Sequence, residues 1–336
     1  MKKKQTAGIV VAAIAIILTG VIGMASNLIK ESAQSKMETK NKETLSSIFS
    51  STEENFNLPS KDFVGVIDVT GTIQGSTGTS SVTTTGYNHS KSMKFIEKMM
   101  KSSSNKGILL YVDSPGGTVY HSDELYLKLM EYKEKTKRPV YAYFASEACS
   151  GGYYISMAAD KIYANRNCWT GSIGVIVSFM NLKGLYDKLG IKEIDIASGD
   201  NKTMGSMGLD LTDEQRDIMQ ALVDESYEQF TSIVSEGRNM DIETVKKLAD
   251  GRIYSALQAK ENGLIDEVGS LDEEKKFIEK DLENSDITFY QPKNALNEIF
   301  SSLYGSVSDL KKKSDTEIAY DLIEEAKNGE LLYYAK

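Results

Sequence analysis

Short apolar runs of strand length alternate with stretches of helical period along most of this chain. Phe63-Val-Gly-Val-Ile-Asp-Val69, Gly107-Ile-Leu-Leu-Tyr-Val112 and Val140-Tyr-Ala-Tyr-Phe-Ala145 are β-branched and aromatic, and turn residues bound them. Runs that are apolar nearly throughout bury both faces, as parallel strands covered by helices do. Between and after them the pattern predicts helices around 93–100, 119–133, 151–159 and 182–189. Further strands are expected at 161–164, 174–178 and 192–196. A long helix follows, opened by a Thr212–Gln215 capping box. Its stripe runs through Ile218, Met219, Leu222, Val223, Phe230, Ile233 and Val234, and Gly237 is expected to end it. Such alternation implies an α/β domain with parallel sheets and covering helices.

The N-terminus has a different pattern. Lys2-Lys3-Lys4 precedes an uncharged stretch, 5–27, whose apolar part is close to the roughly 20 residues that span a bilayer. The lysines place that end in the cytoplasm and the remainder outside. The division expected is a cytoplasmic tail (1–6), a transmembrane anchor (7–26), a polar stalk (27–60), the main domain (61–290) and a C-terminal segment (291–336). A cleaved signal peptide is the rival reading, with Gly23-Met-Ala25 supplying small residues at the cleavage positions.

Composition changes this picture little. Apolar residues at 40% and charged residues at 26% describe an ordinary globular chain. A net charge of −9 argues against a nucleic-acid partner. There is no cluster of His and Cys at metal-ligand spacing and no phosphate-binding glycine loop, so no metal or other cofactor is called for. Cys149 and Cys168 have two readings, a pair oxidised after export or two buried free thiols.

The candidate chemistry lies at two glycine turns, each following a buried strand. Ser150-Gly151-Gly152 follows the 140–145 run, and Asp113-Ser-Pro-Gly-Gly117 follows the 107–112 run. A serine at a helix N-terminus has free N–H groups and a positive dipole end beside it, which suit a developing oxyanion. It is equally an ordinary helix cap. A serine nucleophile needs a base, and the chain has two histidines, His89 and His121. If neither serves, a lysine made neutral by burial is the alternative. Lys202 stands out because it lies among small and apolar residues, 197–208. A solvated loop lysine and a catalytic base both fit that setting.

Taken in order, the motifs resemble a known family. They are Asp113-Ser-Pro-Gly-Gly117, Ala148-Cys-Ser-Gly-Gly-Tyr-Tyr154, Ala158-Ala-Asp160, Thr170-Gly-Ser-Ile-Gly174, Ser198-Gly-Asp-Asn-Lys202, Asp250-Gly-Arg-Ile-Tyr254 and Ala259-Lys-Glu-Asn-Gly263-Leu-Ile-Asp266. The set is similar to the signal peptide peptidase A family in its short bacterial form, Ser-Lys proteases of the crotonase/ClpP-like superfamily. The resemblance spans about 62–269. It implies repeated ββα units and a membrane-anchored endopeptidase acting on remnant signal peptides and other short or unfolded peptides. Ser150 would be the nucleophile, Lys202 the general base and Ser172 the hydroxyl that holds the lysine amine. Gly117, with Gly116 and Gly151, would form the oxyanion and substrate-binding turn. It further implies a closed homo-oligomer, an octameric dome in which Lys202 reaches Ser150 of a neighbouring copy. Cys149 departs from the small residue usual before the nucleophile. A non-catalytic membrane scaffold and a crotonase-type CoA-thioester enzyme are the alternatives.

Two segments carry paired readings. The Ser/Thr/Gly-rich run 75–90 is either disordered or a rim of the substrate channel. After a helix-like run at 315–327, the apolar tail Leu331-Leu-Tyr-Tyr-Ala-Lys336 is either a frayed end or a tethered ligand in a substrate groove.

Overall fold

The computed structural model describes residues 56–75 and 86–292, together with the backbone of a strand at Leu332–Tyr334. The expected cytoplasmic tail and anchor, most of the stalk, residues 76–85 and the helix-like run 315–327 lie outside the described residues. Among the described residues no helix is long and apolar enough to cross a membrane.

An eight-stranded, mostly parallel sheet carries the fold. Strands β1 (Phe63–Thr70), β2 (Asn105–Ser114) and β4 (Val140–Cys149) pair in parallel at its centre. β9 (Thr288–Tyr290) adds beyond β1, and β6 (Trp169–Gly171) adds beyond β4. β7 (Ile253–Ser255) closes that edge antiparallel, while β5 (Lys161–Ala164) joins β4 to β8 (Glu267–Val268). β3 (Gly116–Thr118) stands apart and pairs antiparallel with β10 (Leu332–Tyr334).

The period of two along each strand sorts side chains onto two faces. Ile108, Leu110 and Val112 join Phe63, Ile67 and Phe144 in the larger core. Helices α1 (His89–Lys101), α2 (Val119–Thr136) and α3 (Gly151–Ser156) cover it with Phe95, Leu125, Leu129, Tyr153 and Tyr154. Val64, Leu109, Tyr141 and Tyr143 face the opposite way, toward Ile278 of helix α8 (Leu271–Asp281). Each fully buried large side chain contributes about 1.5–3 kcal/mol, so both faces must be covered.

Carboxylates finish the strand starts. Asp160 accepts from Val140 N at 2.9 Å and Asp266 from Ile162 N at 2.7 Å, which satisfies backbone N–H groups near the starts of β4 and β5. Arg238 in turn holds Asp266 and donates to Gly263 O.

Four expectations need correction. The helix expected around 93–100 starts earlier, with Asn88 as its cap, so His89 is helical. Phe56 packs on Phe95 with ring centroids 5.2 Å apart, so residues given to the stalk already touch the core. The strands expected at 174–178 and 192–196 do not form. Ile176, Ile194 and Ile196 are exposed there, the last fully, since none of the described residues covers them. A short helix, α4 (Lys183–Leu189), and a 3₁₀ turn, Asp200–Thr203, interrupt this arm among the described residues. The long helix α5 (Asp213–Arg238) does open with the Thr212–Gln215 capping box. It runs past Gly237, and Asn239 takes the left-handed position that ends it. Its second half docks Phe230 and Val234 in the core, while Ile218 and Leu222 in its first half stay exposed. Helices α6 (Ile242–Leu248) and α7 (Ala256–Glu261) complete the order.

Candidate active site

Three adjacent parallel strands, β2, β4 and β6, end side by side, and their C-terminal ends carry the candidate residues. Ser114 pairs with Ala148, and Cys149 with Gly171. The chain therefore leaves the sheet at neighbouring points toward Gly116, Ser150 and Ser172. In open α/β sheets this rim is the usual location of ligands.

Ser150 sits at the turn from β4 into α3 with φ 52° and ψ −116°, a conformation that L-residues rarely adopt. Such a residue costs roughly 1–3 kcal/mol and persists where the surroundings enforce it. Here Ser150 N donates to Gly171 O at 2.8 Å and Ser150 O accepts from Tyr154 N at 2.8 Å. Its side chain does not cap α3. The Oγ is buried and has no hydrogen-bond partner. This removes the cap reading of Ser150.

The Asp113–Gly117 turn is fixed from both sides. Asp113 Oδ1 accepts from Ser146 N and Glu147 N, each at 3.2 Å, and from the Ser146 hydroxyl. Ser114 Oγ donates to Gly71 O at 2.6 Å and accepts from Gly116 N at 3.1 Å. Gly116 has φ 113°, a region that strains any side chain. A Cβ on Gly117 would lie 1.9 Å from Ile73 O. Ile73 N donates to Gly116 O, and Thr118 N donates to Ile73 O. Backbone groups alternate in direction along a strand, so the N–H of Gly117 points the other way. That side is the edge on which Tyr333 of β10 pairs with Gly117. It is also the side of Gly151, since a Cβ built on Gly151 would lie 3.2 Å from Gly117 N.

Ser172 follows β6 with φ 48° and is almost fully buried. The Asp250–Tyr254 motif holds it in place: Ser172 N donates to Arg252 O at 2.8 Å and Gly251 N to Ile173 O at 3.1 Å. Arg252 forks onto Asp250 and holds its carboxyl down at about 2.

Lys202 is not part of this cluster within one chain. It lies exposed on a short 3₁₀ turn, Asp200–Thr203, beside Asp195, Ile196, Ser198 and Ser206. The histidines do not supply a base to Ser150 either. Their rings meet edge to face with centroids 4.9 Å apart, His89 bonds Tyr87 and Glu124, and His121 bonds Thr118. Both cysteines are buried free thiols that share Trp169 O as acceptor, and burial pushes Cys149 up to about 12. Among the described residues there is no group of three or more metal-ligating side chains.

The sequence reading passed over Ser122. It is fully buried in the first turn of α2 and its Oγ has no partner. Its position four residues after the cap Thr118, on the helix face that adjoins Gly117, was the available signal.

Comparison with known proteins matches the part of the chain that carries this rim. A model of peptidase family S49 matches residues 132–285, and a Clp protease model matches residues 79–172. Over 189 residues the chain is 44% identical to a putative protease of Synechocystis, an alignment covering 55% of this chain and 68% of that one. The chain belongs to peptidase family S49. It is also 40% identical over 220 residues to a putative signal peptide peptidase SppA of Enterococcus faecium (66% of this chain, 64% of that one). Protease 4 of Haemophilus influenzae is 33% identical over 220 residues (66% of this chain, 34% of that one). The chain thus spans just under two thirds of the Enterococcus protein's length. Ser150 and Ser172 fall where the S49 and Clp protease matches overlap, and Lys202 falls in the S49 match alone.

Proposed function

We propose that this chain is a membrane-anchored serine endopeptidase that cleaves extended peptides, remnant signal peptides among them, through an acyl-enzyme on Ser150. One observation carries this reading. A buried, unpartnered hydroxyl on a strained residue directly precedes Gly151, which lies against the Gly117 N–H at an edge where β10 already pairs as an added strand.

A substrate strand laid along β3 as β10 is would bring a carbonyl oxygen toward the N–H groups of Gly117 and Gly151. Ser150 Oγ attacks that carbonyl carbon while its proton passes to the neutral amine of Lys202. The two N–H groups hold the oxyanion, and Ser172 orients the amine. Lys202 returns the proton to the leaving nitrogen. It then activates the water that hydrolyses the ester.

The base comes from a second copy. Lys202 stands on an arm whose Leu185, Leu189, Ile194 and Ile196 are all exposed, an apolar surface that the described residues leave uncovered. Packing the arm on a neighbour would bury these side chains and carry Lys202 to that neighbour's Ser150. The closed ring this builds would admit only extended or short peptides.

Subunit mixing tests the proposal. Ser150→Ala and Lys202→Ala are each expected to be folded, assembled and inactive. Random co-assembly at equal amounts should restore about a quarter of the sites, those pairing an intact serine with a neighbour's intact lysine. Mixed assemblies that stay inactive would overturn the shared site, and turnover by Lys202→Ala alone would remove the lysine from the mechanism.

A further inference from the structure

Among the described residues, three side chains hold buried polar atoms without a partner: Ser122, Ser150 and Glu274. Glu274 belongs to α8, which covers the other face of the sheet. Ser122 instead meets the residue that follows Ser150. A Cβ built on Gly151 would lie 2.4 Å from Ser122 Oγ and 3.2 Å from Gly117 N. The Ser122 hydroxyl and the Gly117 N–H therefore both lie against Gly151, the residue that follows the nucleophile.

A buried hydroxyl without a partner costs stability, and such groups in a native fold call for an explanation. For Ser150 the explanation is nucleophilic attack. Ser122 has no such task, and its neighbours are the groups placed to receive negative charge. An O–H held there without an acceptor is matched to an acceptor that comes with the substrate.

We propose that the Ser122 hydroxyl is a third donor of the oxyanion pocket, bonding the peptide carbonyl oxygen as it gains charge. This rests on the reading of Ser150 as nucleophile. As Ser150 Oγ bonds the carbonyl carbon, the carbonyl π pair moves onto oxygen, and Ser122 O–H donates to it with no proton leaving Ser122. When the tetrahedral adduct collapses, the bond weakens again. A donor that strengthens only in the transition state raises kcat and leaves substrate binding nearly unchanged.

The test uses the full-length assembled protein with Ser122→Ala and Ser122→Cys, the latter keeping the shape but offering only a weak donor. Both are expected to lower kcat about 10²-fold with KM little changed, the effect of losing one oxyanion donor. The thermal midpoint should stay the same or rise, because a buried unbonded hydroxyl has gone. A peptide aldehyde, which forms an oxyanion on Ser150, should lose affinity by the same factor as kcat/KM. The matching peptide alcohol, which forms none, should bind as before. Equal losses for aldehyde and alcohol, or kcat close to that of the parent, would overturn the assignment. Labelling of the parent by a fluorophosphonate separates the two readings. A labelled parent with unaffected variants would overturn Ser122 alone, whereas a parent that never labels would overturn Ser150 and Ser122 together.

Discussion

Replacing Glu274 is expected to stabilise the protein, with a pH dependence whose sign is fixed. Glu274 stands in the first turn of α8, fully buried, with neither carboxylate oxygen hydrogen-bonded. Burial holds its carboxyl well above the ordinary carboxylate range. A raised carboxyl pKa means that the folded state keeps a proton which the unfolded chain releases above about pH 4.3. The contribution of this proton to stability is complete below that pH and is lost as pH rises toward the folded-state value. Glu274→Gln keeps the shape and cannot ionise. It should match the parent in acid and become increasingly more stable as pH rises through the weakly acidic range and above. Glu274→Leu also removes the unsatisfied oxygens, and at neutral pH should gain about 1–3 kcal/mol. For a domain of about 150–250 residues that is roughly 2–4 °C of melting temperature per kcal/mol. The assay is thermal unfolding of parent and variants from about pH 4 to 8, read as the difference between them, which cancels other titrating groups. A parent–Gln difference that stays flat across that range would refute the reasoning.

Gly117→Ala would drive a Cβ to 1.9 Å from Ile73 O, so β3 must shift, and peptidase activity should fall about 10²–10³-fold with Ser150 intact. Steady-state kinetics beside a melting curve decides this, and near-normal turnover would remove Gly117 from the oxyanion pocket. Deleting residues 331–336 removes β10 from the edge of β3, and kcat/KM for a short peptide should rise severalfold because a tethered competitor is gone. Unchanged kinetics, together with a C-terminus that mass spectrometry finds equally intact in the parent and in Ser150→Ala, would end the tethered-ligand reading.

The central sheet was legible because each run of apolar residues is satisfied within one chain. Gly107–Val112 and Val140–Ala145 read as doubly buried strands, and the structure packs α1, α2 and α3 on one side and α8 on the other. The glycine turns were legible for a related reason. Gly116 and Gly117 sit where a side chain meets either a forbidden φ or the Ile73 carbonyl, so the motif records backbone geometry. Ser122 was harder to see because a serine in the first turn of a helix has an ordinary place there. Only the absence of a partner for its hydroxyl sets it apart, and that is a three-dimensional fact.

The arm after β6 is where local patterning failed, and the failure has a physical meaning. Residues 174–178 and 192–196 carry the β-branched side chains of strands, yet Ile194 and Ile196 are the most exposed of the large apolar side chains there. The same holds in α5, whose stripe is buried at Phe230 and Val234 and bare at Ile218 and Leu222. Periodicity reports that a face is to be buried and is silent about which molecule buries it. In the sheet the answer lies within the chain. Along the arm and the first half of α5 the described residues give no such answer, and the one lysine singled out as a base stands between them. On the mechanism proposed above, a nucleophile in a finished core and a base on an unfinished surface would gain activity when copies meet. Breaking that contact with a charge at Ile196 should therefore abolish peptide hydrolysis and leave the fold of each copy intact, an outcome that size measurement and a melting curve would read side by side.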